Sequence, residues 1–343
     1  MNGNTDELPL TKVIALTGGR HDPPSRFRLR QFIESLRTFN INVSEHYPLV
    51  NKYITKRVLP LALLIRLPGI LASRTADVTW LERELVPNRK TLELSAGPRR
   101  IFDVDDAIWL NASRFSEEIA RRSHAVIAGN DFIADYYSRL GVRVYTIPTS
   151  IDTSLWRPTD NKRNGSWTIG WTGSSSNLKY LELIEEPLAA FLREHSEARL
   201  LIVCDRKPEL KSIPAGSWRF VSWHPESEVG SVQAMDVGLM PLANDEWAQG
   251  KCALKMIMYL AAGVPAVVSP VGVAGKMLEH GEVALAARTA DEWFSALGRL
   301  YDDSQLVINL KKHGRRLVED QYSVTVNAPK IAAVIREVSS GRS

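Results

Sequence analysis

Residues 235–272 confine this chain to a parallel α/β architecture. The run Val237-Gly238-Leu239-Met240-Pro241-Leu242 is short, apolar and ends on a proline, as a strand buried on both faces does. A polar loop, Ala243–Gly250, follows at the strand's carboxyl end, the edge where open α/β sheets bind ligands. The spacing then predicts a helix starting near Lys251 and stopping at Gly263-Val264-Pro265, a glycine-then-proline ending. Pro265–Ser269 is apolar enough for a second buried strand. Strand, helix and strand in this order make a βαβ unit, whose crossover leaves the two strands parallel.

Two cations sit where a helix tolerates them least. Lys251 and Lys255, four apart, fall on one face of the predicted first turns, where like charges repel. They also lie at the positive end of the helix dipole. An anion, above all a phosphate, docked on the backbone of Gly250, Cys252, Ala253 and Leu254 removes both penalties. Solvated lysines with their stems lying on the surface are the plainer reading. The anion site is preferred because the loop before it leaves a strand's carboxyl end.

The rest of the chain repeats strand, loop and helix. A length of 343 residues allows two domains with separate cores. In the first half, strands are predicted at Lys12–Thr17, Ile41–Tyr47, Asp77–Leu81, Arg100–Val104, Val126–Gly129 and Val142–Ile147, with helices at Arg26–Phe39 and Asp131–Leu140. Pro148–Asn164, polar and carrying two prolines, is the best boundary. The pattern then restarts with strands at Trp167–Trp171, Leu200–Cys204 and Arg219–Trp223. Helices are predicted at Leu178–Glu194, Ala290–Tyr301, Ser304–Gln321 and Ala328–Val338. Two doubly wound α/β domains facing a cleft follow from this alternation.

Composition excludes several classes. A net charge of +4 is too small to imply nucleic acid, and suits anionic small molecules or an acidic membrane surface. Cys204 and Cys252 show no metal-ligand spacing and fit a reduced, cytoplasmic setting. The polar, acidic start of the chain is unlike a signal peptide. No run of about eighteen apolar residues is present to span a membrane.

Three segments carry a family likeness: Leu260-Ala261-Ala262-Gly263-Val264-Pro265, Ile147-Pro148-Thr149-Ser150-Ile151-Asp152 and Phe102-Asp103-Val104-Asp105-Asp106-Ala107. In these the chain resembles family 4 retaining glycosyltransferases. The resemblance implies a GT-B fold of two Rossmann-like domains. Residues 1–155 would form the acceptor side and 156–321 the nucleotide-sugar donor side, with about 322–343 packing back on the first. It also implies a hexosyltransferase-like activity that moves a sugar from a nucleotide-diphosphate sugar to a hydroxyl with retention. No metal or other cofactor is expected, the acceptor is a glycan or a lipid-linked glycan, and the setting is cell-surface polysaccharide assembly. The family's Glu-x7-Glu motif, whose glutamates approach the donor sugar and hold the ribose, falls here on Gly250 and Met258. A catalytically silent nucleotide-sugar binder, or an epimerase or phosphorylase of the same fold, is therefore the alternative.

Further residues have two readings each. Gly18 and Gly19 end the first strand, and in the related family this loop's backbone meets the donor phosphates, as glycine permits. Arg26 and Arg30, one helical turn apart, read either as a phosphate clamp or as an exposed basic face. Gly173, Ser174 and Ser175 make either a phosphate nest or a helix cap, with Lys179 the nearest cation. Asp103, Asp105 and Asp106 suit acceptor contact, with Asp105 as a candidate base, or helix capping; a metal site is disfavoured because GT-B enzymes generally need none. The cation-flanked apolar run of residues 56–74 reads as a peripheral contact with the inner membrane face. Burial in the core is its commoner fate, and two prolines argue against a helix there.

Overall fold

The computed structural model describes residues 9–48, 59–87, 89, 91–159 and 165–341. They divide into two compact units, Met1–Ser150 with Val324–Ser343, and Ile151–Ser323. Within the first unit the described strands are β1 (Thr11–Leu16), β2 (Ile41–His46), β3 (Val78–Glu82), β4 (Arg100–Val104), β5 (Ala125–Ala128) and β6 (Val144–Thr146). They pair in parallel in the order β2-β1-β3-β4-β5-β6. The second unit has β7 (Trp167–Gly173), β8 (Ala198–Cys204), β9 (Trp218–Ser222), β10 (Val237–Met240), β11 (Ala266–Val268) and β12 (Leu285–Ala286). Their parallel order is β12-β11-β10-β7-β8-β9.

Helices connect the strands. The first unit carries α1 (Ile33–Arg37), α2 (Leu59–Ser73), α3 (Trp109–Arg121) and α4 (Asp131–Ser138). The second carries α5 (Leu178–Glu182), α6 (Glu185–Glu194), α7 (Glu228–Gln233), α8 (Glu246–Gln249), α9 (Leu254–Ala261), α10 (Val273–Leu278), α11 (Ala290–Asp302) and α12 (Ser304–Leu317). The last helix, α13 (Val324–Ser339), belongs to the first unit and packs its Val324, Ala328, Ile331 and Ile335 into that unit's core. Strand order reverses between β1 and β3 in one sheet and between β7 and β10 in the other. Each reversal is a topological switch point, where crossovers leave to opposite faces and a crevice opens at the strands' carboxyl ends.

A buried phenol seats α9 against its sheet. Tyr259 is fully buried over Gly238, where a Cβ would come within 2.4 Å of its ring. Its hydroxyl accepts from the Thr172 N–H of β7 at 3.2 Å and donates to the Leu239 carbonyl of β10 at 3.2 Å. One side chain thus joins α9 to both strands of the switch point.

Four expectations are corrected. The predicted helix over 26–39 is broken: wide turns run over Ser25–Leu29, then tight turns over Arg30–Phe32, before α1. Ser25, Phe27, Arg28 and Leu29 are all buried in the wide turns. The helix expected over 178–194 is split after Glu182, because the ring of Pro187 blocks the Leu183 carbonyl. The helix expected from Lys251 starts at Leu254, because Ala253 holds a left-handed φ of 53°. Finally, the apolar run beyond residue 58 forms α2 despite Pro60 and Pro68; residues 56–58 lie outside the described residues. Pro60 stands in the first turn, and the carbonyl that Pro68 cannot satisfy belongs to Leu64, an exposed residue within reach of water. Among the described residues no helix is long and apolar enough to cross a membrane.

Gly238→Ala is expected to drive a methyl into the Tyr259 ring and cost about 1–3 kcal/mol. Tyr259→Phe, which loses only the hydroxyl bridge, is expected to cost about 1 kcal/mol. Urea denaturation of both variants measures this; equal stability of Gly238→Ala and the parent would refute the seating.

Candidate functional site

At the β7/β10 switch point the second unit gathers most of the predicted donor residues. Lys255 lies in the first turn of α9, with Nζ 5.6 Å from the centroid of the buried Trp171 ring. Gly173, at the end of β7, makes room for it: a Cβ there would meet Lys255 Cε at 2.8 Å and Trp171 at 2.9 Å. A side chain at 173 would push the end of the Lys255 side chain from this path. Lys251 stands in the turn before α9, its Nζ 5.8 Å from the Tyr180 ring and 5.6 Å from the Trp247 ring. Cation–π attraction at these distances holds each ammonium over an aromatic face.

The backbone between the lysines is unusual. Gly250, Cys252 and Ala253 are buried. Ala253 is one of three non-glycine residues with a left-handed φ among the described residues. That conformation costs about 1–2 kcal/mol for an L-residue, and such strain gathers at functional sites. It turns the chain so that α9 begins with its first-turn amides, which have no intrahelical acceptor, beside Lys255. Two ammonium groups and a helix N-terminus placed together can stabilise a doubly charged anion.

Ser175 does not fit a phosphate nest. Its amide and hydroxyl donate to the two carboxylate oxygens of Asp205, at 2.6 and 2.8 Å. Burial works to raise the Asp205 pKa, but the Ser175 bonds outweigh it and hold this carboxyl below its ordinary range. Ser174 instead shares its hydroxyl with Ser176 and accepts from Asn177, each at 2.9 Å. Asp205, from the end of β8, thus braces the loop that follows β7.

In the first unit Arg30, Asp103, Asp105 and Asp106 are tied into ion pairs. Glu82, buried at the end of β3, accepts from the Gly18 amide at 2.8 Å and the Ser25 hydroxyl at 2.6 Å, through one oxygen. Gly18 therefore presents its N–H to Glu82. Gly19 is half-exposed, with open space where its Cβ would lie. Arg30 is no phosphate clamp: its guanidinium grips both oxygens of Glu45 at 2.8 and 2.6 Å and donates to the Arg20 carbonyl at 2.6 Å. Arg26 lays its guanidinium 4.9 Å from the Phe27 ring centroid.

The three aspartates divide. Asp103 is buried and faces inward: Arg28 Nε donates to it at 2.8 Å and the Trp80 indole N–H at 3.2 Å. Burial pushes its carboxyl up to about 6 against the pull of Arg28. This is a structural pair, so the expectation that Asp103 meets an acceptor is corrected. Asp105 and Asp106 are half-buried at the sheet's carboxyl edge, and Arg83 donates to both, at 2.5 and 2.6 Å. Burial opposes the Arg83 charge, and the two aspartates outweigh it, leaving its pKa above the ordinary arginine value. Arg83 itself has a left-handed φ of 55°. With Arg28 and Arg83 on these carboxylates, the cluster is a set of ion pairs.

Sequence reasoning misses Glu82, Arg83 and Asp205. Leu81-Glu82-Arg83-Glu84-Leu85 reads as a solvated charged stretch. The usable signal is its position directly after a buried strand, at the edge where α/β sheets place their functional groups.

Comparison with known proteins bears on the second unit most directly. Residues 167–303 match the family model described as Glycosyl transferases group 1. That segment is similar to the glycosyltransferases of this group. Its β7, β10, Lys251 and Lys255 all lie inside the match. No curated protein matches the chain in sequence. Among solved structures, the sucrose-phosphate synthase (tll1590) of Thermosynechococcus elongatus aligns with a TM-score of 0.72 at 14% identity, covering 96% of this chain and 100% of that one. Anabaena HepE, solved in complex with UDP-glucose, gives 0.66 at 13% identity, covering 95% and 100%. WaaG, a glycosyltransferase involved in lipopolysaccharide biosynthesis, gives 0.66 at 12% identity, covering 94% and 99%. Likeness at this identity shows the fold: two parallel six-stranded sheets with helices, as in GT-B glycosyltransferases.

Ala253→Gly is expected to relieve the left-handed strain of the second unit and stabilise it by about 1 kcal/mol. Thermal denaturation reads this as a higher melting temperature. A lower one would show that the Ala253 methyl contributes packing worth more than the strain.

Proposed function

We propose that the chain transfers a sugar from a nucleoside-diphosphate sugar to a hydroxyl acceptor, with retention of configuration and without a metal ion. The observation that carries this reading is the placement of Lys251 and Lys255 about the start of α9, beside Gly173, inside the segment similar to group 1 glycosyltransferases. As the glycosidic bond breaks, charge gathers on the departing diphosphate. Ammonium groups and first-turn amides fixed in advance stabilise that charge without reorganising. The lysines supply here what a metal supplies in other transferases.

On the first unit we propose that Asp105, Asp106 and Arg83 hold the acceptor hydroxyls, since a carboxylate accepts from a hydroxyl while the guanidinium donates to its neighbour. Asp105, already paired with Arg83, fits a positioning role better than that of a free base. The half-exposed backbone at Gly19 is the other candidate for ligand contact at the β1/β3 switch point. A cytoplasmic setting, a lipid-linked glycan acceptor and work in cell-surface glycan assembly complete the proposal. WaaG, with a similar fold, is described as acting in lipopolysaccharide biosynthesis.

A second reading has one observation behind it. Gly250 and Met258, at the positions resembling the family's two glutamates, are both buried and bring no carboxylate to the donor. A silent nucleotide-sugar binder would keep the lysine site and lack turnover. Release of UDP from UDP-glucose in the presence of candidate acceptors separates the two.

Calorimetric titration with UDP tests the donor site. Lys251→Ala and Lys255→Ala are each expected to weaken binding about 10- to 100-fold, the worth of one charge-assisted hydrogen bond. EDTA is expected to change nothing, and Lys311→Ala with Lys312→Ala, in the exposed face of α12, serves as the control. Equal losses in both pairs would sink the assignment. Gly19→Val is expected to keep the parent melting temperature, because space is open around it, while lowering turnover at saturating donor. Unchanged turnover would remove Gly19 from the site.

A further inference from the structure

The second unit carries a carboxylate at a position where nucleotide-binding sheets use one. Counted from one edge, its strands run β9-β8-β7-β10-β11-β12, which puts the third, second and first in chain order before the last three. This is the doubly wound order of dinucleotide-binding sheets. In those sheets phosphate sits at the turn after the first strand, and an acid farther along the chain accepts from the ribose. Here β7 is the first strand and ends at Gly173, beside Lys255. The second is β8, in which Cys204 pairs with Gly173 and Asp205 is the next residue. Neighbouring strands lie about 5 Å apart, so Asp205 borders the same crevice as the end of β7.

Asp205 is exposed, yet its orientation is fixed. Ser175 donates its amide to Oδ1 at 2.6 Å and its hydroxyl to Oδ2 at 2.8 Å. The Cys204 thiol adds a weak donor to Oδ1 at 3.5 Å. A carboxylate offers about four acceptor positions. Among the described residues Oδ2 takes only the Ser175 hydroxyl, so it has room for another donor. Burial pushes the pKa up and the Ser175 bonds bring it below the ordinary range, which keeps the group an ionised acceptor. Two other acids of the unit are engaged elsewhere: Asp245 caps α8 through the Ala248 amide at 2.7 Å, and Glu228 accepts from the Trp223 indole at 2.9 Å. Met258, at the position resembling the family's ribose-holding glutamate, is buried and brings no carboxylate.

Resting on the donor-site reading of Lys251 and Lys255, we infer that Asp205 reads the ribose of the donor nucleotide, accepting from its vicinal 2′- and 3′-hydroxyls. One hydroxyl takes the remaining acceptor position of Oδ2, and its neighbour displaces the weak Cys204 contact on Oδ1. With the diphosphate at the start of α9, the nucleoside runs across the end of β7 toward β8. The role that the related family gives to a glutamate in α9 passes here to the end of β8. The Ser175 bonds fix the carboxylate in advance, so little freedom is lost when the ribose arrives. Bracing the loop after β7 and reading the ribose are then two uses of one side chain.

Calorimetric titration of the full chain with inorganic pyrophosphate, UDP, 2′-deoxy-UDP and 3′-deoxy-UDP tests it. The parent is expected to bind UDP about ten-fold or more tighter than either deoxy nucleotide, the worth of a hydrogen bond to a charged group. Asp205→Asn keeps a hydrogen-bonding partner for Ser175. It is expected to weaken UDP about ten-fold while the deoxy nucleotides and pyrophosphate change little, so most of the preference disappears. Ser175→Ala removes the hydroxyl brace, leaves the carboxylate, and is expected to keep the preference for UDP. Equal losses for UDP, its deoxy forms and pyrophosphate in Asp205→Asn would reduce Asp205 to a brace and overturn the assignment. A preference that survives Asp205→Asn would overturn it too. A parent that binds pyrophosphate but does not prefer UDP to its deoxy forms would overturn the role of Asp205 and leave the lysine site standing. A parent that binds none of the four would overturn both.

Discussion

The Tyr259 phenol is the contact on which the second unit's site depends. Its hydroxyl spans β7 and β10 at the point where the strand order reverses, and its ring fills the space left by Gly238. The start of α9 is thereby fixed against the end of β7, which brings Lys255 past Gly173. Burial raises the Tyr259 pKa well above the ordinary tyrosine range, so the hydroxyl keeps its proton and with it the bond to Leu239. The first unit solves the same topological problem with a carboxylate. Glu82 at the end of β3 takes the Gly18 amide at the end of β1, across the other switch point. Each crevice is thus shaped by one buried polar side chain that reaches from strand to strand.

The two units differ in how they treat charge. In the second, the lysines rest on aromatic faces, which attract a cation. In the first, arginines and acids neutralise one another: Arg28 with Asp103, Arg30 with Glu45, Arg83 with Asp105 and Asp106. A cationic site resting on aromatic rings suits a diphosphate. A paired, hydrogen-bond-rich edge suits neutral hydroxyls, where specificity comes from geometry more than from net charge.

The strands, and the two lysines that flank the start of α9, are legible in the amino-acid sequence. Val237-Gly238-Leu239-Met240 and Ala266-Val267-Val268 read as buried parallel strands because burial on both faces leaves an unbroken apolar run. Lys251 and Lys255 stand out because cations at a helix start demand a reason. Long-range pairing is what local sequence conceals. Nothing nearby marks Arg30 as the partner of Glu45, or Ser175 as the partner of Asp205, since thirty residues and a strand crossing separate the second pair. Helix α2 misleads for a related reason. Its run of leucines suggests core, and only the contacts of Arg66 with Thr17 and Leu85 show which face turns inward.

The most direct test is a crystal structure of the protein grown with UDP and without divalent metal. The diphosphate is expected at the first turn of α9, with its oxygens within hydrogen-bonding distance of the Lys251 and Lys255 ammonium groups and the Leu254 amide. A diphosphate bound elsewhere in the second unit, with both lysines still resting on Trp171, Tyr180 and Trp247, would contradict the placement of the donor site.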